Sequence, residues 1–167
     1  MNEYTKKLRL ILLEECHRNC AGCCNNDWDI QNLPICTDYT EYDLIMFTGG
    51  EPMLYPEIIL DAIKTIRAQT KAPIYLYTAL LADKVMLNKI LSMIDGITVT
   101  LHENEDIAPF LEFDRYHAGR ENLSYRLNIF KGVEKVICSP RWKIKDDITW
   151  IKDCPLPFGE TLMRFMK

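Results

Sequence analysis

The chain has 167 residues, 48% of them apolar, and carries 20 basic against 24 acidic side chains for a formal net charge of −4. That supply of apolar residues suffices for one sizeable core and is short for two, so a single domain over residues 1–167 is expected. The mildly acidic balance gives no electrostatic case for a nucleic-acid partner, and the lack of a long uncharged apolar run argues against a membrane span.

The N-terminal residues pass directly into Leu8-Arg9-Leu10-Ile11-Leu12-Leu13 without the pattern of a cleavable leader, which predicts a cytoplasmic protein with reduced thiols. The mostly apolar run 8–13 reads as a buried strand leading into a cysteine-bearing loop. Residues 24–41 are polar and carry Pro34, so they read as irregular, with room for one short helical turn. A second strand is expected over 43–48, ended by Gly49-Gly50, and Pro56 opens a helix to about residue 69 with Ile58, Ile59, Ala62, Ile63 and Ile66 in its apolar stripe. The unit repeats as a strand over 73–78 and a helix over 83–94, then as a strand over 96–102 rich in β-branched residues. A short helix is expected over 106–113 and strands over 124–130 and 133–138. Beyond Pro140 the pattern weakens, and 160–166 reads as a last helical segment. Strands alternating with helices predict a parallel sheet whose ligands bind past the carboxyl ends of the strands.

Two motifs fall at such ends. Cys16, Cys20 and Cys23 stand at Cys-x3-Cys-x2-Cys after the first strand, and Thr48-Gly49-Gly50-Glu51-Pro52 follows the second. Three thiolates can each hold one iron of a cubane cluster and leave the fourth iron open to a small molecule. The same triplet also suits zinc, with His17 or Cys24 as a fourth ligand, or simply buried thiols. Disulfides fit less well, because seven cysteines is an odd number and the setting is reducing. The two glycines permit unusual backbone angles and close approach to a ligand, and Glu51 offers a carboxylate to an ammonium group. Pro52 stiffens the turn. An isolated Gly-Gly-Glu-Pro would be read as a tight turn; its pairing with the cysteines gives it a second meaning.

Together, Cys16-x3-Cys20-x2-Cys23 and Thr48-Gly49-Gly50-Glu51-Pro52 resemble the cluster motif and the methionine-amino-group motif of the radical S-adenosylmethionine family. The resemblance covers about residues 8–138, which leaves the remainder as a C-terminal extension. It implies a partial (β/α)6 barrel of the TIM type, with Cys16, Cys20 and Cys23 on a [4Fe-4S] cluster and Gly49, Gly50, Glu51 and Pro52 at S-adenosylmethionine. It further implies Thr78, His102, Arg126 and Asn128, at strand ends or on the fifth strand, as contacts to that cofactor. An electron donor such as flavodoxin or ferredoxin is implied as a partner. Gly22 stands where many members carry an aromatic residue, and Cys23-Cys24-Asn25 completes a loop that resembles the activating enzymes of anaerobic ribonucleotide reductases. Those enzymes make a glycyl radical on a large partner protein, although their N-terminal extension is missing or very short here. The alternatives are a radical enzyme acting on a small molecule or nucleotide, and a zinc-binding or degenerate scaffold.

Of the other residues, His17 and Arg18 are expected to shape the loop, and Tyr75 and Tyr77 to pack in the core. Cys24, Cys36, Cys138 and Cys154 lack ferredoxin-like spacing and are expected as free thiols. Lys131, Lys135, Arg141, Lys143 and Lys145 make the C-terminal third locally basic, which suits a solvated face or the docking of a phosphorylated substrate or partner.

Overall fold

The computed structural model describes residues 5–18, 23, 27–151 and 154–166. Cys20, Gly22, Cys24 and Asn25 lie outside the described residues. The chain is an α/β protein built on one seven-stranded sheet, with strands β1 (Lys7–Ile11), β2 (Leu44–Thr48), β3 (Ile74–Thr78), β4 (Gly96–Leu101), β5 (Ser124–Phe130), β6 (Lys143–Ile148) and β7 (Glu160–Arg164). Their order is β6-β5-β4-β3-β2-β1-β7, and all of the pairings are parallel. Helix α1 (Pro56–Arg67) connects β2 to β3, α2 (Lys84–Leu91) connects β3 to β4, and α3 (Ile107–Tyr116) connects β4 to β5.

Because β1 to β5 advance across the sheet in one direction, right-handed crossovers leave the three helices on one face. That face carries Leu8, Leu10, Ile45, Phe47, Ile74, Leu76, Ile97, Val99 and Leu127, which join the buried stripes of the helices in a single apolar cluster. Strand residues alternate between faces, so the residues between them point the other way. This second face is polar. It bears Arg9, Tyr75, Tyr77, Thr98, Arg126 and Lys143, and no described helix covers it.

Local chemistry explains the helix boundaries. Pro56 occupies the first turn of α1, Glu57 sits near its positive end, and Lys64 and Arg67 sit near its negative end. Asp83 caps α2 by accepting from the Met86 amide at 3.1 Å. A 3-10 turn over Asn104–Asp106 leads into α3 through a reciprocal capping box between Glu103 and Asp106.

Two expectations fail toward the C-terminus. Residues 133–138 join no strand: Val136 is buried against the core while Ile137 is 84% exposed, and the Glu134 amide donates to Asn104 Oδ1 instead of to a ladder. The sixth strand is instead Lys143–Ile148, whose sequence KIKDDI has no apolar alternation because it is an exposed edge. Residues 160–164, expected in a helix, form β7 alongside β1. An apolar strand such as β1 leaves a row of unpaired backbone groups on its free side, and pairing with β7 satisfies them. No helix among the described residues is long and apolar enough to cross a membrane.

Candidate functional site

The loops after β1, β2 and β3 meet because their strands are neighbours, as the motif positions predicted. A pocket of about 130 Å³ at this end of the sheet is lined by Cys16, Cys23, Gly50, Glu51, Thr78 and His102, among others. Cys16 is an exposed free thiol there. No three His, Cys, Asp or Glu side chains converge on a metal-binding group among the described residues, which do not include Cys20.

The two glycines have a role that their sequence disguises. A β-carbon on Gly50 would come within 1.8 Å of the Glu15 carbonyl oxygen, and one on Gly49, whose φ is +107°, within 2.5 Å of the Leu13 oxygen. Their close approach is therefore to the chain's own backbone. The Gly50 amide donates to Leu13 O at 2.8 Å and the Glu51 amide to Glu15 O at 2.6 Å, which clamps the segment leading to Cys16 onto the end of β2.

Glu51 is 2% exposed, and its carboxylate accepts from the Met53 amide at 2.8 Å, from the Ala79 amide at 2.6 Å and from the Thr78 hydroxyl at 2.8 and 2.9 Å. It thus joins the turn after β2 to the end of β3. Desolvation by burial pushes its pKa up, against the lowering effect of these bonds. It has no ion-pair partner among the described residues. Thr78, expected to contact a ligand, lines the pocket but donates to Glu51. Pro52 is buried in the 3-10 turn Pro52–Leu54 that Glu51 caps. Glu51→Gln is expected to lower stability by about 1–3 kcal/mol, because an amide nitrogen must then face either the Met53 or the Ala79 N–H. A shift of the urea midpoint at unchanged slope measures it.

Arg18 carries the cysteine loop across to α3. Its guanidinium pairs with Asp106 and lies 3.6 Å from Glu103, and Asp106 also accepts from the His102 and Glu103 amides. Arg18, expected to shape the loop, ties its own position to the turn before α3. The His102 ring stacks on Phe130 at 5.1 Å and on Trp150 at 6.0 Å. Burial and the nearby Arg18 cation push its pKa down to about 4, so the ring is neutral near pH 7. Arg18 Nε and His102 Nδ1 are buried without hydrogen-bond partners, and both residues line the pocket. Unpaired buried nitrogens of this kind mark a place where a polar ligand completes the structure.

Arg126 and Asn128 do not reach this pocket. They line an adjoining cavity of about 470 Å³, and Tyr77 lines both. Tyr75 and Tyr77, expected in the core, lie on the polar face, where Arg126 sits over the Tyr75 ring at 5.3 Å and Arg9 over the Tyr77 ring at 5.7 Å. Sequence reasoning missed Trp150, which stands outside every motif and lines the pocket from the segment after β6. It also missed Ala79, whose contribution is a backbone amide that no side-chain pattern could announce.

Cys36 is buried and Cys138 partly so, each with its pKa raised by desolvation, in keeping with free thiols. Cys154 departs from that expectation, being disulfide-bonded. Its carbonyl accepts from Trp28 Nε1 at 3.2 Å. No family model matches this chain, and no curated protein matches it significantly.

Proposed function

We propose that the protein is a radical S-adenosylmethionine enzyme on a partial (β/α)6 barrel. The observation that carries this reading is the meeting of Cys16 and Cys23 with Gly49, Gly50 and Glu51 around one pocket at the carboxyl ends of adjacent parallel strands. Winding of β1 to β6 in a single direction supports the barrel class.

Cys16, Cys20 and Cys23 are the residues that would hold a [4Fe-4S] cluster, and the pocket suits a second ligand beside it. When bound and reduced by a flavodoxin or ferredoxin, such a cluster supplies one electron that cleaves S-adenosylmethionine to methionine and a 5′-deoxyadenosyl radical, which takes a hydrogen atom from substrate. Glu51 serves the ammonium group of S-adenosylmethionine. A buried carboxylate with no paired cation gains most from one, and Thr78 and Ala79 hold it in a fixed orientation. Arg18 and His102 offer nitrogens without partners to the ligand's polar groups. The stacked rings of His102, Phe130 and Trp150 form an apolar wall that keeps water from a reactive species.

Protein purified without air and reconstituted with iron and sulfide is expected to be brown and, with dithionite and S-adenosylmethionine, to form 5′-deoxyadenosine. A fully loaded cluster that forms none would sink the proposal. Zinc without iron in such protein would favour the scaffold reading instead. The hydrogen donor is a glycyl radical protein if the resemblance of the cysteine loop extends to the target, and a small molecule if the adjoining cavity receives it.

A further inference from the structure

The adjoining cavity has a chemistry of its own. Tyr77, Thr98, Arg126 and Lys143 stand in one row across β3, β4, β5 and β6, each in register with the next. Asn128 and Lys145 pair one step further along the same face. At the usual spacing between strands the row spans roughly 14 Å. All six residues line the cavity of about 470 Å³, a volume in the range of small-molecule sites.

Three cations gather here without a counter-charge. Arg126, Lys143 and Lys145 have no ion pair among the described residues, whereas Arg9 on the same face is paired with Glu160 at 2.9 Å. Asp146 and Asp147 also belong to β6, and neither lines the cavity. Like charges directly opposite each other on neighbouring strands are destabilising, as Arg126 and Lys143 are here. Thr98 supplies an independent sign: it is 2% exposed, it lines the cavity, and its hydroxyl has no hydrogen-bond partner. A buried hydroxyl left unpaired beside three cations calls for a ligand rich in acceptors.

We propose that this cavity binds the phosphoryl group of a small phosphorylated substrate, whose remaining atoms extend past Tyr77 into the cysteine-loop pocket. A phosphoryl group brings a charge near −2 and three strong acceptor oxygens, enough for the Arg126 guanidinium, the two ammonium groups and the Thr98 hydroxyl together. A carboxylate brings one charge and two oxygens. Stacking on Tyr75 holds the guanidinium in place before the ligand arrives. The anion site stands on the cavity alone, and its role as a substrate site rests on the function proposed above.

The full-length protein, free of metal, is titrated by calorimetry with inorganic pyrophosphate and, at matched ionic strength, with citrate. Pyrophosphate is expected to bind saturably and citrate about tenfold more weakly or worse. Arg126→Ala combined with Lys143→Ala is expected to weaken pyrophosphate by about tenfold or more, and Thr98→Val by a few-fold, while Lys89→Ala on α2 leaves it unchanged. Because Lys143→Ala relieves repulsion, its melting temperature without anion is expected to equal or exceed that of the parent. Absence of saturable binding, equal binding by the double variant, or equal binding of citrate overturns the proposal. Displacement of pyrophosphate by S-adenosylmethionine reassigns the cavity to that ligand's carboxylate and overturns it as well. Pyrophosphate binding in a protein that forms no 5′-deoxyadenosine would remove the radical reading and leave the anion site standing.

Discussion

Replacing Gly50 with alanine is expected to cost about 3 kcal/mol or more of folding stability, at the upper end of what overpacking usually does. The reason is geometric. The added methyl would lie within 1.8 Å of Glu15 O, 2.3 Å of Glu15 C and 2.4 Å of Glu14 O, all of them backbone atoms that cannot turn aside as a side-chain tip does. Relief requires the 13–15 segment to move away from β2, breaking the bonds from the Gly50 and Glu51 amides to Leu13 and Glu15. Cys16 follows directly in sequence, so under the cluster reading proposed above the variant is also expected to take up less iron on reconstitution. Gly132 provides the control: its φ is +95°, yet a β-carbon there meets nothing within 4 Å. Gly132→Ala is expected to cost about 1 kcal/mol through backbone strain alone, with iron uptake unchanged. Urea unfolding of the two variants side by side decides the matter, and equal losses would show that the contact with Glu15 is not what demands glycine at position 50.

The second large effect is a loss of stability in acid traceable to His102. Its pKa in the folded protein is about 4, below the ordinary histidine value of 6.5, because burial and Arg18 disfavour the charged ring. As pH falls below that ordinary value the unfolded chain takes up a proton that the folded ring refuses, so stability is lost from about pH 6.5 down to about pH 4. At 1.36 kcal/mol per pH unit this group accounts for about 3 kcal/mol across the window. His117, whose pKa burial also lowers, pulls in the same direction. His102→Phe keeps a ring against Phe130 and Trp150 and removes the unpaired Nδ1. In metal-free protein it is expected to be as stable as the parent at pH 7 and to lose about 3 kcal/mol less on going to pH 4. Identical pH profiles for the two proteins would mean that the ring is protonated in the folded state. If His102 also serves the ligand, the same substitution lowers 5′-deoxyadenosine formation, so stability and activity move in opposite directions.

These residues differ in how far the sequence announced them. Strands β1 to β5 were legible because each is an apolar or β-branched run with a helix or a turn behind it, and Ser124–Phe130 matches its expected bounds. The meeting of the cysteine loop with Gly-Gly-Glu-Pro followed from placing both at successive strand ends. Strand β6 was hidden, since an exposed edge needs no apolar alternation. Strand β7 was misread because Leu162, Met163, Phe165 and Met166 recur at a helical spacing, while the unpaired side of β1 determines the outcome. At the site, residue types were legible and their partners were not. Thr78 and Glu51 bond to each other across 27 positions of sequence, and Gly50 meets Glu15 across a loop. Arg126 and Asn128 lie on β5, and nothing in the sequence assigns them to one cavity or the other.

Strand β1 has a further consequence for the order in which the molecule is made. Leu8 pairs with Ile45 on one side and with Thr161 on the other, so the strand that delivers Cys16 gains its second partner only when residues 160–164 arrive. Contacts of such long sequence separation form late and slow folding. On the ribosome, β2 to β5 can assemble behind their helices while one side of β1 still waits for residues 160–164. The segment that leads to Cys16 therefore acquires its final support after the rest of the sheet, which makes residues 160–164 the timer for completing this end of the site.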